Sequence, residues 1–204
     1  MLITGIKSKP VYAPLAPDVG GRYHVLVGHG VGAAQLLRLV GELRASGGSS
    51  RASLRLLYAT DMSVAPNAIA TVRGADVADV RVFESIPALL EDFRTLLETS
   101  RMGTRLYVAG PEAFMGLVMR IADKFNLNRD EIRAEECGSR ARRVHCIHCR
   151  AATESVTTNI VECSGCRRWL VVRDHYSRRL AAYMGVMVDA EMPGERPAVK
   201  DVFV

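Results

Sequence analysis

Over the first two thirds of the chain, short apolar runs alternate with longer stretches whose apolar residues recur at helical spacing. Tyr23 to Gly28 is such a run and ends in Gly-His-Gly-Val-Gly, after which Ala33 to Ser46 sets Ala33, Leu36, Leu37, Val40 and Leu43 on one helical face. Leu54 to Ala59 and Val80 to Glu84 predict two further strands, and Ser85 stands where it would cap a helix carrying Ile86, Leu89, Leu90, Phe93, Leu96 and Leu97. Arg105 to Ala109 predicts a strand broken at Gly110-Pro111, and proline suits the first turn of the helix expected to run to about Phe125. Glu131 to Glu136 reads as a weak last strand. The alternation of strand and helix implies a parallel sheet covered on both faces, a doubly wound α/β domain.

Beyond residue 137 the pattern changes. An Arg-rich boundary, Gly138-Ser139-Arg140-Ala141-Arg142-Arg143, leads into four cysteines, Cys146, Cys149, Cys163 and Cys166, arranged as two C-x-x-C knuckles separated by a thirteen-residue loop. Each knuckle can aim two sulfurs at one ion, and together they complete a tetrahedral thiolate shell with no position left for substrate. A closed shell points to structure or electron transfer and away from metal hydrolysis. The competing reading is disulfide pairs, but the start Met-Leu-Ile-Thr-Gly shows no charged n-region, apolar h-region or cleavage site, so a reducing, cytoplasmic setting is expected. Zinc is favoured over iron because Arg150 and Arg167 follow the knuckles, where rubredoxins usually place glycine; all-thiolate tetrahedra accept either metal. His145 and His148 read as exposed or supporting imidazoles, and Cys137 as a buried small hydrophobe or plain thiol.

The knuckles are expected at the tips of hairpins with Thr- and Val-rich arms, Ser155 to Val161 and Trp169 to Arg173, the pattern of a zinc ribbon whose small core depends on its metal. A short helix is expected around Ser177 to Tyr183, then a non-periodic tail from Gly185 to Val204 ordered by packing on something else, such as a partner. The expected division is an N-terminal extension (1–19), the α/β domain (20–137), the four-cysteine domain (138–184) and the extended tail (185–204).

Composition adds limits. The chain has 204 residues, 49% of them hydrophobic, enough for one full core and a small satellite. No apolar run approaches the roughly 20 residues that span a bilayer. Between Arg133 and Leu180 ten arginines stand against five acids, which accounts for the whole net charge of +5. A divalent ion on four thiolates would return two negative charges, so the remaining surplus faces an acidic protein, nucleic acid or solvent.

Gly28, Gly30 and Gly32, between a strand and a helix, could cradle phosphates, although the spacing departs from G-x-G-x-x-G and Asp61 lies farther on than that fingerprint expects of a ribose-binding acid; a tight structural turn explains them equally well. Together with Leu106 to Met115, which contains Gly110 and Pro111, and with the strands at 55–59 and 80–83, the stretch from Tyr23 to Leu37 resembles the nicotinamide-nucleotide half of the ferredoxin reductase family. Gln35 replaces a usual proline and Ala109 a usual cysteine, and about twenty residues precede the first strand, too few for that family's flavin-binding barrel.

Such a half-body followed by a four-cysteine ribbon is similar to the small DmmA-type subunits of bacterial dimethylamine monooxygenase. The matching stretches are residues 142–149, 163–170 and 173–186, the last from Arg173-Asp174-His175-Tyr176 to Gly185-Val186. The resemblance implies a heteromeric complex in which a haem subunit and a flavin (FMN) and iron–sulfur reductase subunit act with this chain, using NAD(P)H and O2 to demethylate dimethylamine to methylamine and formaldehyde. From the residues themselves no catalytic group emerges. Asp174-His175-Tyr176-Ser177 reads as structural or docking, and Tyr58, Tyr107, Trp169 and Tyr176 as core or interface aromatics. The expectation is an accessory subunit that holds the others together; the alternatives are a rubredoxin-like iron subunit that carries electrons and a basic zinc-ribbon nucleic-acid binder.

Overall fold

The computed structural model describes residues 8–46, 53–60 and 66–204, which form two compact units: 12–138, and 139–204 together with 8–11. Asp61 lies outside the described residues. The first unit contains β1 (Tyr23–His29), α1 (Ala33–Ala45), β2 (Leu54–Ala59), α2 (Pro66–Arg73), β3 (Asp79–Phe83), α3 (Ile86–Glu98), β4 (Thr104–Gly110), α4 (Glu112–Ala122) and β5 (Ile132–Glu136). All sheet pairings are parallel, in the order β3-β2-β1-β4-β5, so the winding direction reverses between β1 and β4.

Strand alternation divides the core into two layers. Leu26, Leu56, Tyr58 and Tyr107 meet α1 and α2 through Leu36, Leu39, Val40, Leu43 and Val72. Val25, Val27, Leu57, Leu106 and Val108 meet α3 and α4 through Leu89, Phe93, Met115 and Val118. The fold class is therefore doubly wound α/β, with helices on both faces of a parallel sheet. Ser85 caps α3 by accepting a hydrogen bond from Ala88 N at 3.4 Å, and Pro111 occupies the extended N-cap position of α4. The last helix ends at Ala122 and tightens into a 3₁₀ turn over Asp123–Phe125. α2 was not foreseen, being a single short element of eight residues.

The segment before β1 is tied to this sheet. Leu15 is fully buried, its N–H donates to Glu135 Oε2 at 2.6 Å, and Arg38 donates to its carbonyl at 3.0 Å. Asp18 N–H donates to the Tyr107 hydroxyl, which also meets buried His24 Nδ1 at 3.1 Å. The Asp18 carboxylate accepts from Arg105 and lies within ion-pair distance of Arg133.

The second unit is a sheet of order β7-β6-β10-β9-β8, built from β6 (Arg142–Cys146), β7 (Ala152–Val156), β8 (Ile160–Glu162), β9 (Trp169–Ser177) and β10 (Ala182–Met187). β6 and β10 are parallel and the other neighbours antiparallel. The helix expected at Ser177 to Tyr183 is absent: β9 continues to Ser177, the chain reverses with Ala181 at φ 50°, and β10 starts at Ala182. The reversal places Tyr176 opposite Tyr183 as a buried edge-on pair with centroids 5.1 Å apart, and that cross-strand packing outweighs local helix propensity.

The C-terminal tail packs on this same unit. Asn159 N–H donates to Lys200 O, while Val202 and Phe203 N–H groups both donate to Thr157 O. The Arg142 guanidinium lies between the rings of Tyr183 and Phe203, 3.8 Å from each centroid, and pairs with Asp174 at 2.7 Å. Arg196 stacks on Trp169 at 4.0 Å.

Candidate metal centre and dinucleotide crevice

β6 delivers Cys146 into the first knuckle, which closes through Arg150 N–H to Cys146 O and Cys146 N–H to Ala151 O, both at 2.9 Å. The second knuckle repeats these bonds after β8, with Arg167 N–H to Cys163 O at 3.1 Å and Cys163 N–H to Arg168 O at 2.9 Å. Arg150 and Arg167 sit at φ 65° and 62°, the left-handed conformation that explains why glycine is the usual occupant. Arginine bears that strain at about 1–2 kcal/mol per residue.

The four Sγ atoms lie within 4.8 Å of one another, with Cys146 to Cys166 at 3.8 Å and Cys149 to Cys163 at 3.5 Å. Zinc–sulfur bonds of about 2.3 Å in a tetrahedron require sulfurs about 3.8 Å apart, so the donor set fits a four-thiolate ion. Gly165 makes this approach possible: a Cβ there would stand 2.7 Å from Ala151 Cβ and 3.0 Å from Cys149 Sγ. Its N–H also points at Cys163 Sγ, 3.4 Å away. Neither Gly165 nor the Arg168 contact was singled out in the sequence, though the glycine was visible inside Cys-Ser-Gly-Cys.

Cys146 and Cys163 are buried, Cys166 is half-buried and Cys149 is exposed. Burial pushes the Cys146 thiol up to about 11, whereas hydrogen bonding from the Arg168 backbone N–H, reinforced by its side chain, draws Cys166 down to about 6. Cys166 therefore loses its proton more readily than Cys146, and metal binding would displace the remaining protons. His148 is exposed. His145 is half-buried; burial lowers its pKa, and the nearby charges of Arg143, Arg150 and Arg179 lower it further. Four sulfurs with neither carboxylate nor imidazole in the group leave structure or one-electron transfer as the available chemistry.

The glycines near the sheet's switch point serve close packing. A Cβ on Gly28 would stand 2.6 Å from Leu36 Cδ1, and one on Gly32 only 2.4 Å from Ala109 O. Gly30 adopts φ 57°, and its carbonyl accepts from the Tyr58 hydroxyl. Gly110 is at φ 151° against Phe114 and His29, and Pro111 follows it into α4. Cys137 N–H donates to Gly110 O at 3.1 Å, and a Cβ on Gly138 would stand 3.1 Å from Val31 Cγ2 and 3.7 Å from Pro111 Cγ. The chain leaving β5 therefore rests on both loops that flank the crevice. Cys137 is half-buried and burial pushes its thiol up to about 11, the state of an unreactive thiol.

Asp174, His175, Tyr176 and Ser177 do not converge on a reaction centre. Alternation along β9 sets Asp174 and Tyr176 on one face, where Tyr176 packs in the core and Asp174 pairs with Arg142, and turns His175 and Ser177 to the other. A separate cavity of about 360 Å³ at the opposite end of the sheet is lined by Tyr23, Arg55, Leu96 and neighbours. Its Thr99, Ser100 and Thr104 hydroxyls are committed to nearby backbone carbonyls.

Residues 4–132 match the family described as dimethylamine monooxygenase subunit DmmA-like, N-terminal domain, and residues 143–186 match its C-terminal domain. The heme-dependent oxidative N-demethylase delta subunit of Ectopseudomonas mendocina (strain ymp) is 35% identical over 111 residues, which cover 54% of this chain and 63% of that protein. Among solved structures, the cytochrome P450 reductase GcoB of Amycolatopsis has a TM-score of 0.43 at 19% identity, covering 63% of this chain and 42% of its own. The flavohem-like FAD/NAD-binding domain of the nitric oxide dioxygenase of Vibrio cholerae O1 biovar El Tor has 0.42 at 17%, covering 63% and 55%. With matches to both of its domains, one of them over more than half its length, the chain belongs to the dimethylamine monooxygenase subunit DmmA-like family.

Proposed function

We propose that this chain is an accessory, non-catalytic subunit of a cytoplasmic, heteromeric oxidative N-demethylase. In this reading it holds together a haem-containing subunit and a flavin and iron–sulfur reductase subunit, which use NAD(P)H and O2 to convert dimethylamine to methylamine and formaldehyde. Zinc on Cys146, Cys149, Cys163 and Cys166 keeps the second unit folded. The observation that carries the reading is the closed four-sulfur group, which leaves no open position for substrate, in a chain of this family. The delta-subunit relative supports a place in a haem-dependent demethylase, and no helix among the described residues is long and apolar enough to cross a membrane.

The crevice at Gly28, Gly30, Gly32, Gly110 and Pro111 is vestigial in this reading, and NAD(P)H is bound by the reductase subunit. Support comes from Gly32 pressed against Ala109 and Gly138 against Val31 and Pro111. Calorimetry of the isolated chain with NADH and NADPH should give no saturable heat; micromolar binding would restore the crevice as a working site.

Reconstitution tests the assignment. Formaldehyde release from dimethylamine should be absent with this chain alone and should depend on it when the haem and reductase subunits are mixed. Turnover and assembly that persist undiminished without it would remove the accessory role. One observation favours a second reading: Cys149 is exposed, which brings one edge of the sulfur group to the surface, as electron exchange requires. Iron in the site would give red protein that bleaches on reduction, whereas zinc gives colourless protein.

A further inference from the structure

Between residues 139 and 188 there are nine arginines and only three acids, Glu154, Glu162 and Asp174. Each acid is already held by an arginine: Glu154 by Arg143, Glu162 by Arg167 and Asp174 by Arg142. Among the described residues Arg150, Arg178 and Arg179 have no carboxylate at ion-pair distance. Charge is therefore left over after every internal pairing, and all three of these arginines are exposed.

The fold gathers part of this surplus along one strand. Arg142 and Val144 point into the core, so Arg143 and His145 occupy the opposite face of β6. Arg143 donates to Leu180 O at 2.7 Å, which brings the β9–β10 turn, with Arg178 and Arg179, to one end of that face. At the other end β6 enters the first knuckle, where Arg150 closes the turn and Ile147 is 46% exposed. Phe203 stacks on Arg142, which places that part of the acidic tail on the inner side.

We propose that this strip, Arg179 and Arg143 at one end and Ile147 and Arg150 at the other, is a docking surface for a carboxylate-rich protein face that also offers an apolar contact to Ile147. The proposal rests on the accessory-subunit reading and adds where the partner attaches. Arg150 and Arg179, which have no carboxylate partner among the described residues, share the strip with the exposed aliphatic side chain of Ile147, and that combination of apolar contact and free charge suits a protein interface of complementary charge. Arginine suits carboxylates because its planar fork donates two parallel hydrogen bonds. One end of the strip, Ile147 and Arg150, belongs to the first knuckle, and the other lies at the β9–β10 turn.

The test uses the full chain and the purified haem-containing subunit as probe. Wild type, Arg150→Glu/Arg179→Glu and a control reversal on the first unit, Arg101→Glu/Arg129→Glu, are titrated at two salt concentrations. The docking reversal should raise Kd at least about 100-fold, since like charges placed across an interface are strongly unfavourable. It should leave the metal content unchanged, and the control reversal should bind as wild type does. If the double reversal fails to fold, Arg150→Gln/Arg179→Gln should still weaken binding about tenfold and reduce its salt dependence. Wild-type binding that survives these substitutions overturns the docking surface and leaves the accessory role standing. Absence of wild-type binding removes that role and the surface with it. Tighter binding of a duplex DNA oligonucleotide than of the haem subunit would also overturn the proposal.

Discussion

Gly32 shows how one residue gives physical content to one of two readings of a motif. In the sequence Gly28, Gly30 and Gly32 are equally compatible with a phosphate cradle and with a tight turn, because both need the same absence of a side chain. Gly32 lies where a Cβ would meet the Ala109 carbonyl at 2.4 Å, so its small size brings the start of α1 against the end of β4. Gly32→Ala should destabilise the first unit by about 1–3 kcal/mol, the cost of forcing an extra carbon into a packed site, with thermal unfolding as the readout. His24 makes a second residue-level prediction. Burial lowers its pKa below 6.5, so the folded chain resists a proton that the unfolded chain accepts. Its contribution is present above pH 6.5 and is lost as pH falls from 6.5 toward the lowered folded value, at up to about 1.4 kcal/mol per pH unit. Unfolding midpoints measured from pH 7.5 down to 5 should fall less steeply in His24→Gln than in wild type; equal slopes would assign the acid sensitivity elsewhere.

At the scale of elements, legibility followed burial. β1, β2 and β4 are covered on both faces and read as continuous apolar runs, while α3 announces itself with a Ser cap and a full apolar stripe. The spacing of the cysteines likewise marks the metal-ligand candidates in the sequence alone. α2 was too short to establish a period. The β9–β10 reversal was hidden because Arg, Leu and Ala around it favour helix locally, and only the distant Tyr176–Tyr183 pairing decides otherwise. The tail gave no period because Arg142, Trp169 and Thr157 hold it one residue at a time. Arg142→Leu should therefore release the tail and lower the stability of the second unit by about 2 kcal/mol, the scale of a desolvated cation–π contact. Increased proteolysis after Arg196 or Lys200 would report it, and an unchanged cleavage pattern would contradict the clasp. Cys163→Ser should abolish metal binding and unfold the second unit, since its small core depends on the ion, while the first unit retains its helical circular dichroism. A second unit that stays folded without metal would show that its aromatic core suffices.

For the whole molecule, the features divide between a doubly wound unit whose glycines at the switch point pack closely on neighbouring atoms and a sulfur-centred unit carrying unspent positive charge. Among the described residues neither brings together an acid and a base or offers an open metal position, and in the proposed reading assembly falls to this chain and chemistry to its partners. The most direct measurement is affinity purification of the chain at native expression level, with identification of co-purified subunits and elemental analysis of the same sample. The account predicts a haem subunit, a flavin and iron–sulfur subunit, and one zinc per copy of this chain. Recovery of the chain with nucleic acid or transcription proteins, or without any oxidoreductase subunit, would contradict it.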